Sequence, residues 1–155
     1  MRVIAAALKA LKVREFVSVA TVDLEGRPNC APKLLLKIDG NTVYFVDYSI
    51  GRTSENLHIH PEVSLSFIDM DSLVGYRLNG TVEIIGKGKI FEECLEELHE
   101  KEIKLSVERV IKGVHDGKLY KDFELELSER FLVYKIVIVE ASEISPRGAI
   151  NRENI

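Results

Sequence analysis

The residues best suited to chemistry lie between Tyr48 and Asn56. Tyr48-Ser49-Ile50-Gly51-Arg52 is polar and flexible, and Thr53-Ser54-Glu55-Asn56-Leu57-His58-Ile59-His60 reads as a short helix stopped by Pro61. Loop amides and the positive end of a helix dipole converge at such a start. Arg52 adds a fixed charge with a planar fork of donors, and Ser49, Thr53 and Ser54 supply short hydroxyls. The combination suits a phosphate monoester, and it is also the ordinary makeup of a helix capped by its own Ser or Thr beside a solvated arginine. A second candidate is the strand carrying Lys33 and Lys37, which interrupt the apolar run Ala31-Pro32-Lys33-Leu34-Leu35-Leu36-Lys37. Four residues apart on a strand, the two are expected to share a face, where they either meet a partner or face water.

The remaining reactive side chains read more plainly. His58 and His60, two apart on a helix, face different sides and are not expected to chelate a metal together. His99 and His115 fall in an acidic helical segment without an evident partner, and Cys30 and Cys94 read as small core residues. No metal site is expected, and no catalytic side chain stands out.

Several elements must position these groups. The start, MRVIAAALKALKVREF, reads as an amphipathic first helix, because Lys9, Lys12, Arg14 and Glu15 interrupt its apolar run and no cleavage site follows. Strands are expected at Phe16 to Val22, Cys30 to Ile38 and Thr42 to Val46, joined by turns at Asp23-Leu24-Glu25-Gly26-Arg27 and Asp39-Gly40-Asn41. After the short helix, Val63 to Ile68 and Val74 to Ile85 form a second hairpin, with Gly80 marking a bulge or corner. Ile90 to Lys112 has a helical period, as one broken helix or two, with Glu92, Glu93, Glu96, Glu97 and Glu100 on a solvated face. Lys118 to Glu129 fits helix or strand equally, Phe131 to Val139 is the last strand, and the tail around Pro146 and Gly148 reads as irregular. Two meanders and a late sixth strand, without alternating βα units, favour a mainly β, antiparallel barrel with short flanking helices over a doubly wound sheet.

Composition narrows the function classes. The chain has 155 residues, 46% of them apolar and 30% charged, with a net charge of -4, which describes one soluble domain over residues 1–155 able to hold one cofactor. With 25 acidic against 21 basic residues and 7% aromatics, it lacks the basic tracks and stacking rings that nucleic-acid grooves need. No apolar stretch reaches the length that spans a bilayer, and two distant cysteines suit a reducing cytoplasm, so neither nucleic acid nor membrane is expected as a partner.

From Glu15 to Ile85 the sequence resembles the pyridoxamine 5'-phosphate oxidase-like, FMN-binding split-barrel family. The resemblance lies in the order and spacing of Ala20-Thr21-Val22-Asp23 with Gly26 and Pro28, KIDGNTVYF from Lys37, GRTSENL from Gly51, His60-Pro61 before VSLSF, and GYRLNGTVEI from Gly75. It implies a six-stranded antiparallel split β-barrel, a homodimer, and FMN in clefts at the dimer interface. By the same resemblance, Arg52 and Thr53 fall where the family places a phosphate-binding basic residue and hydroxyl, and Lys37 where a lysine reaches the phosphate. Pro32, Lys33 and Leu34 lie on the strand whose backbone edges the flavin ring, Asp47, Tyr48 and Ser49 on the segment passing the ring and ribityl chain, and Asn56 orders the loop. Gly51 stands where many members have Ser or His, and Thr53 replaces a second basic residue. The Arg147 and Arg152 tail lacks the His-containing substrate segment of true pyridoxamine 5'-phosphate oxidases, so vitamin B6 phosphate is not the expected substrate. The implied function is that of an FMN-dependent oxidoreductase in the cytoplasm. The alternative is a cofactor-binding protein or electron carrier without turnover, holding FMN, haem or a deazaflavin.

Overall fold

Alternation of apolar and polar side chains builds most of the fold. In the computed structural model, which describes residues 2–117 and 130–155, strand β1 (Phe16–Val22) buries Val17, Val19 and Thr21 and leaves the side chains between them more open. It pairs antiparallel with β2 (Pro28–Asp39), which turns through Gly40 and Asn41 into β3 (Thr42–Asp47). Gly40 has φ 58°, the left-handed backbone that glycine supplies at the first central position of a two-residue hairpin turn. Helix α2 (Arg52–Ile59) then leads to β4 (Glu62–Asp69) and β5 (Val74–Ile85). After α3 (Lys89–His115) come β6 (Leu132–Ile144) and β7 (Ile150–Asn154).

The sheet runs β3-β2-β1-β4-β5-β6-β7, and a further β3–β6 pairing closes the first six strands into an antiparallel barrel. Closure pairs most of the edge that an open sheet of this size would expose. The lumen is filled by Val17, Val19, Leu35, Val43, Phe45, Leu65, Leu78, Tyr134, Ile136 and Ile138, and helix α1 (Arg2–Leu11) adds Ile4, Ala7 and Leu11 to the same cluster. A second cluster lies outside the wall, where Leu34, Leu36, Tyr44, Val46 and Val133 meet Cys94, Leu98 and Leu105 of α3. Strand β3 is therefore buried on both faces, from Val43 through Asp47.

Two expectations change. The helical segment is one uninterrupted helix of 27 residues rather than a short or broken one. The tail is a strand: Ser145 accepts from the Gly148 amide at 2.9 Å, so Pro146 and Gly148 form the turn of a β6–β7 hairpin. Residues 118–129, read as either helix or strand, lie outside the described residues.

Gly80 does sit at a register shift, between Asn79 and Gly80 of β5 against β6. A Cβ there would lie 2.6 Å from the Val137 carbonyl oxygen and 2.7 Å from Ile136 Cγ2, so the strands approach too closely for any side chain. Gly80→Ala should therefore destabilise the barrel by about 1–3 kcal/mol, the range for overpacking. Urea unfolding checks this, and an unchanged midpoint would contradict the close approach.

Candidate functional site

Helix α2 begins at Arg52 because Gly51 ends the loop and the following residues close helical bonds at once: the Gly51 carbonyl accepts from the Glu55 amide at 3.0 Å and the Ser54 hydroxyl at 2.8 Å. Gly51 is the N-cap and offers no side chain to the first amides of the helix. These donors, with the positive end of the dipole, favour an anion. Arg52 is exposed at this end, and among the described residues its guanidinium has no hydrogen-bond or ion-pair partner. It lines a cleft of about 350 Å³ between the β1–β2 turn and α2, together with Asp23, Arg27, Asn29, Glu55 and Asn56. Arg27 is neutralised there by Asp23 at 2.7 Å and Glu25 at 2.8 Å, whereas Arg52 keeps its charge available.

The floor beneath α2 is polar and closed. Thr53, Ser54 and Asn56 are buried; Asn29 Nδ2 donates to Thr53 Oγ1 at 3.2 Å, and Asn56 Nδ2 donates to Thr21 Oγ1 at 3.0 Å. Thr53 is thus anchored to β2 through Asn29. Asn56, expected to order the loop, ties the helix to β1. His58 Nδ1 lies 2.6 Å from the Ser54 carbonyl oxygen, a bond within the helix.

The expected Lys33 and Lys37 pair comes apart. Register shifts between Leu35 and Lys37 where β2 meets β3, so an extra residue at the bulge reverses which side chains point inward. Lys33 points into the barrel and Lys37 outward, which corrects the expectation of one shared face. Lys33 is 5% exposed and its Nζ donates to Asp47 Oδ1 at 2.6 Å and to Ser49 Oγ at 3.0 Å. Asp47 is fully buried and also accepts from the Ser49 amide at 3.0 Å, the Ser49 hydroxyl at 2.9 Å and the Tyr134 hydroxyl. Burial works to raise the Asp47 carboxyl, but the donors from Lys33, Tyr134 and Ser49 outweigh it and hold the carboxyl below its ordinary range. Burial first, and then the Asp47 carboxylate, push the Tyr134 phenol well above its usual value.

Outside the wall, Lys37 Nζ donates to Glu97 of α3 at 2.6 Å and lies 5.0 Å from the centre of the Tyr44 ring. Burial opposes its charge, yet Glu97 prevails and raises the lysine above its ordinary range. Lys101 donates to the Leu35 carbonyl at the bulge, and Arg109 to Glu15 at 2.6 Å. Lys37 therefore belongs to a row of basic contacts fastening α3 to the barrel. Leu34 is buried beneath the same helix, while Pro32 is exposed. Tyr48 packs against Phe131, with ring centres 6.3 Å apart, and burial pushes its phenol up.

One strand edge stays open beside this group. From Pro28 to Lys33, β2 pairs with β1 only, since its pairing with β3 starts at Leu34. Backbone groups of this stretch lie next to the side chains that hold the Tyr48–Gly51 loop. Sequence reasoning missed Asn29, Thr21, Tyr134 and Glu97. Of these, Tyr134 alone left a signal: it alternates with Ile136 and Ile138, so a phenol on the inward face needed an acceptor.

The pyridoxamine 5'-phosphate oxidase family model matches residues 4–133. Among solved structures, the chain is similar to a protein from Clostridium acetobutylicum related to general stress protein 26 of B. subtilis, at 15% identity over 99% of this chain and 95% of that one, TM-score 0.65. It is similar to HupZ of Group A Streptococcus, at 23% identity over 94% and 97%, TM-score 0.63. It is also similar to a pyridoxamine 5'-phosphate oxidase-related, FMN binding protein of Nostoc punctiforme PCC 73102, at 16% identity over 98% and 94%, TM-score 0.56. At these identities the structures share a fold. No curated protein matches the chain. The family match covers most of the barrel, α2 and α3, and the closed antiparallel barrel agrees with it: this chain belongs to the pyridoxamine 5'-phosphate oxidase family.

Proposed function

We propose that the chain is an FMN-binding flavoprotein that acts as a homodimer, with the phosphate of FMN held by Arg52 and the first amides of α2. The observation that carries this is the uncapped start of α2 beside an arginine that has no partner among the described residues. A phosphate monoester supplies what both lack, an acceptor with two negative charges. The backbone of Pro32, Lys33 and Leu34 would border the ring along the open edge of β2, and Tyr48 and Ser49 would flank the ring and ribityl chain. Thr53 supports the phosphate end through its anchor to Asn29. Flavin bound there would supply hydride or electron transfer, and the protein binds and orients it. The working reading is an oxidoreductase whose substrate differs from vitamin B6 phosphate.

A second reading, a cofactor carrier without turnover, is favoured by one observation. Of the titratable groups nearest the proposed site, Lys33, Asp47 and Tyr134 are bonded to one another, and burial pushes the Tyr48 phenol, which has no hydrogen-bond partner among the described residues, well above its usual value and so disfavours its ionisation. Purification should give a yellow protein that releases FMN on denaturation. A colourless protein that ignores added FMN would overturn the proposal, and release of a deazaflavin or haem would replace the cofactor. Reduction of the bound flavin by NADH or NADPH would favour the enzyme over the carrier.

A further inference from the structure

We propose that Lys33, Asp47 and Ser49 form a positioning triangle that fixes the Tyr48–Gly51 loop, and thereby sets the preference of the α2 start for a phosphorylated ligand over its unphosphorylated counterpart. This rests on the reading of α2 as the phosphate end of a flavin site.

Ser49 is exposed, yet both its amide and its hydroxyl are bonded to Asp47 Oδ1, at 3.0 and 2.9 Å, and its hydroxyl accepts from Lys33 Nζ at 3.0 Å. Surface serines usually bond to water, so a double tether on one carboxylate oxygen needs a reason. Between the end of β3 and the first residue of α2, Ile50 is 46% exposed and Gly51 has no side chain. The Gly51 carbonyl is held from the helix side by the Glu55 amide and the Ser54 hydroxyl, and Asp47 is the polar anchor on the β3 side of the loop among the described residues. The anchor is rigid because Asp47 is itself held by Tyr134 and by the Lys33 ammonium, both within the barrel wall.

Helix-terminal amides bind an anion well only when they already point at it. A loop of Ser, Ile and Gly that was free to move would lose conformational entropy on binding, and the phosphate would lose affinity accordingly. Lys33 and Asp47 neutralise each other, so the triangle acts through geometry rather than field. A ligand that lacks the phosphate does not use the start of α2 and keeps only the contacts of Tyr48 and Ser49 along the ring and ribityl chain, so loosening the loop costs it less than it costs a phosphorylated ligand. Lys33, Asp47 and Ser49 thus become positioning residues for phosphate recognition, in addition to the strand backbone near the ring.

The test is titration of FMN and riboflavin, followed by flavin fluorescence, against the unmodified chain, Ser49→Ala and Asp47→Asn. Ser49→Ala leaves the buried Lys33–Asp47–Tyr134 contacts in place and changes an exposed residue, so it isolates the tether from barrel stability. The ratio of FMN to riboflavin affinity should fall severalfold in Ser49→Ala and by roughly tenfold or more in Asp47→Asn, the scale of lost charge-assisted hydrogen bonds. An unchanged ratio in Ser49→Ala, or FMN and riboflavin weakening in parallel, would overturn the proposal. If Asp47→Asn does not fold, Ser49→Ala alone decides. If the unmodified chain binds neither flavin, the reading of the site fails, and this inference with it.

Discussion

Replacing Lys33 with Met should cost about 3–5 kcal/mol of folding stability at neutral pH, the range for removing one partner of a buried ion pair. Asp47 is fully buried, and its Lys33 contact at 2.6 Å is the short, charge-assisted kind. Without the ammonium, a carboxylate would remain inside the barrel with only the Tyr134 and Ser49 donors. The effect should depend on pH in a definite sense. In the unmodified chain the Asp47 carboxyl lies below its ordinary value, so its contribution is present above the ordinary carboxylate range and is lost as pH falls through the lower folded value. In the variant, burial acts with less opposition and favours the protonated acid, which stabilises the variant in acid. The difference between the two proteins should therefore shrink as pH is lowered from 7 towards 4, a result that urea unfolding at both values would read. Lys37→Met provides the contrast: its pair with Glu97 is partly open, with side chains 27% and 42% exposed, and should cost no more than about 1 kcal/mol. Equal costs for the two lysines would contradict their assignment to opposite sides of the barrel wall.

The second large effect falls on binding. Arg52→Ala should weaken FMN affinity by about 1–3 kcal/mol, the range for a hydrogen bond to a charged group. Unfolding stability should barely move, because Arg52 is exposed and makes no hydrogen bond or ion pair among the described residues. Riboflavin affinity should also hold, since the missing charge serves the phosphate. Loss of both ligands together would place Arg52 near the ring instead, and unchanged FMN affinity would move the phosphate elsewhere.

Most of the barrel was legible because its signals are local. The alternation of Val17 and Val19, the Gly40-Asn41 turn and Pro61 after the short helix each act within a few residues, and β1, β3 and α2 lie where they were expected. The bulge near Leu36 was not legible, because a register shift is decided by the partner strand, and its consequence was large: it separated Lys33 from Lys37. Helix α3 looked broken because its apolar residues belong to two faces. Cys94, Leu98 and Leu105 are buried against the barrel, whereas Ile103, Val107, Val110, Ile111 and Val114 are exposed. β7 was missed because Ile150–Asn154 carries one apolar residue and pairs on backbone bonds along β6.

At the candidate site, the helix start that carries Arg52 and Thr53 could be read from residue type and position. What could not be read was which polar groups consume one another. Lys33, Asp47 and Ser49 were expected on segments that border a cofactor, and the bonds their side chains make to one another left no mark in residue type or spacing. Nothing in the spacing of Lys33 and Asp47 announces that contact, since it depends on the register shift between Leu35 and Lys37 that sets Leu34 opposite Val46.

The phosphate reading at α2 is tested most directly by titrating the unmodified chain with FMN and with riboflavin, which differ in the phosphate alone. FMN should bind more tightly by roughly tenfold or more, the scale of one charge-assisted contact to Arg52 and the helix start. Equal affinities for the two flavins, or no binding of either, would contradict it.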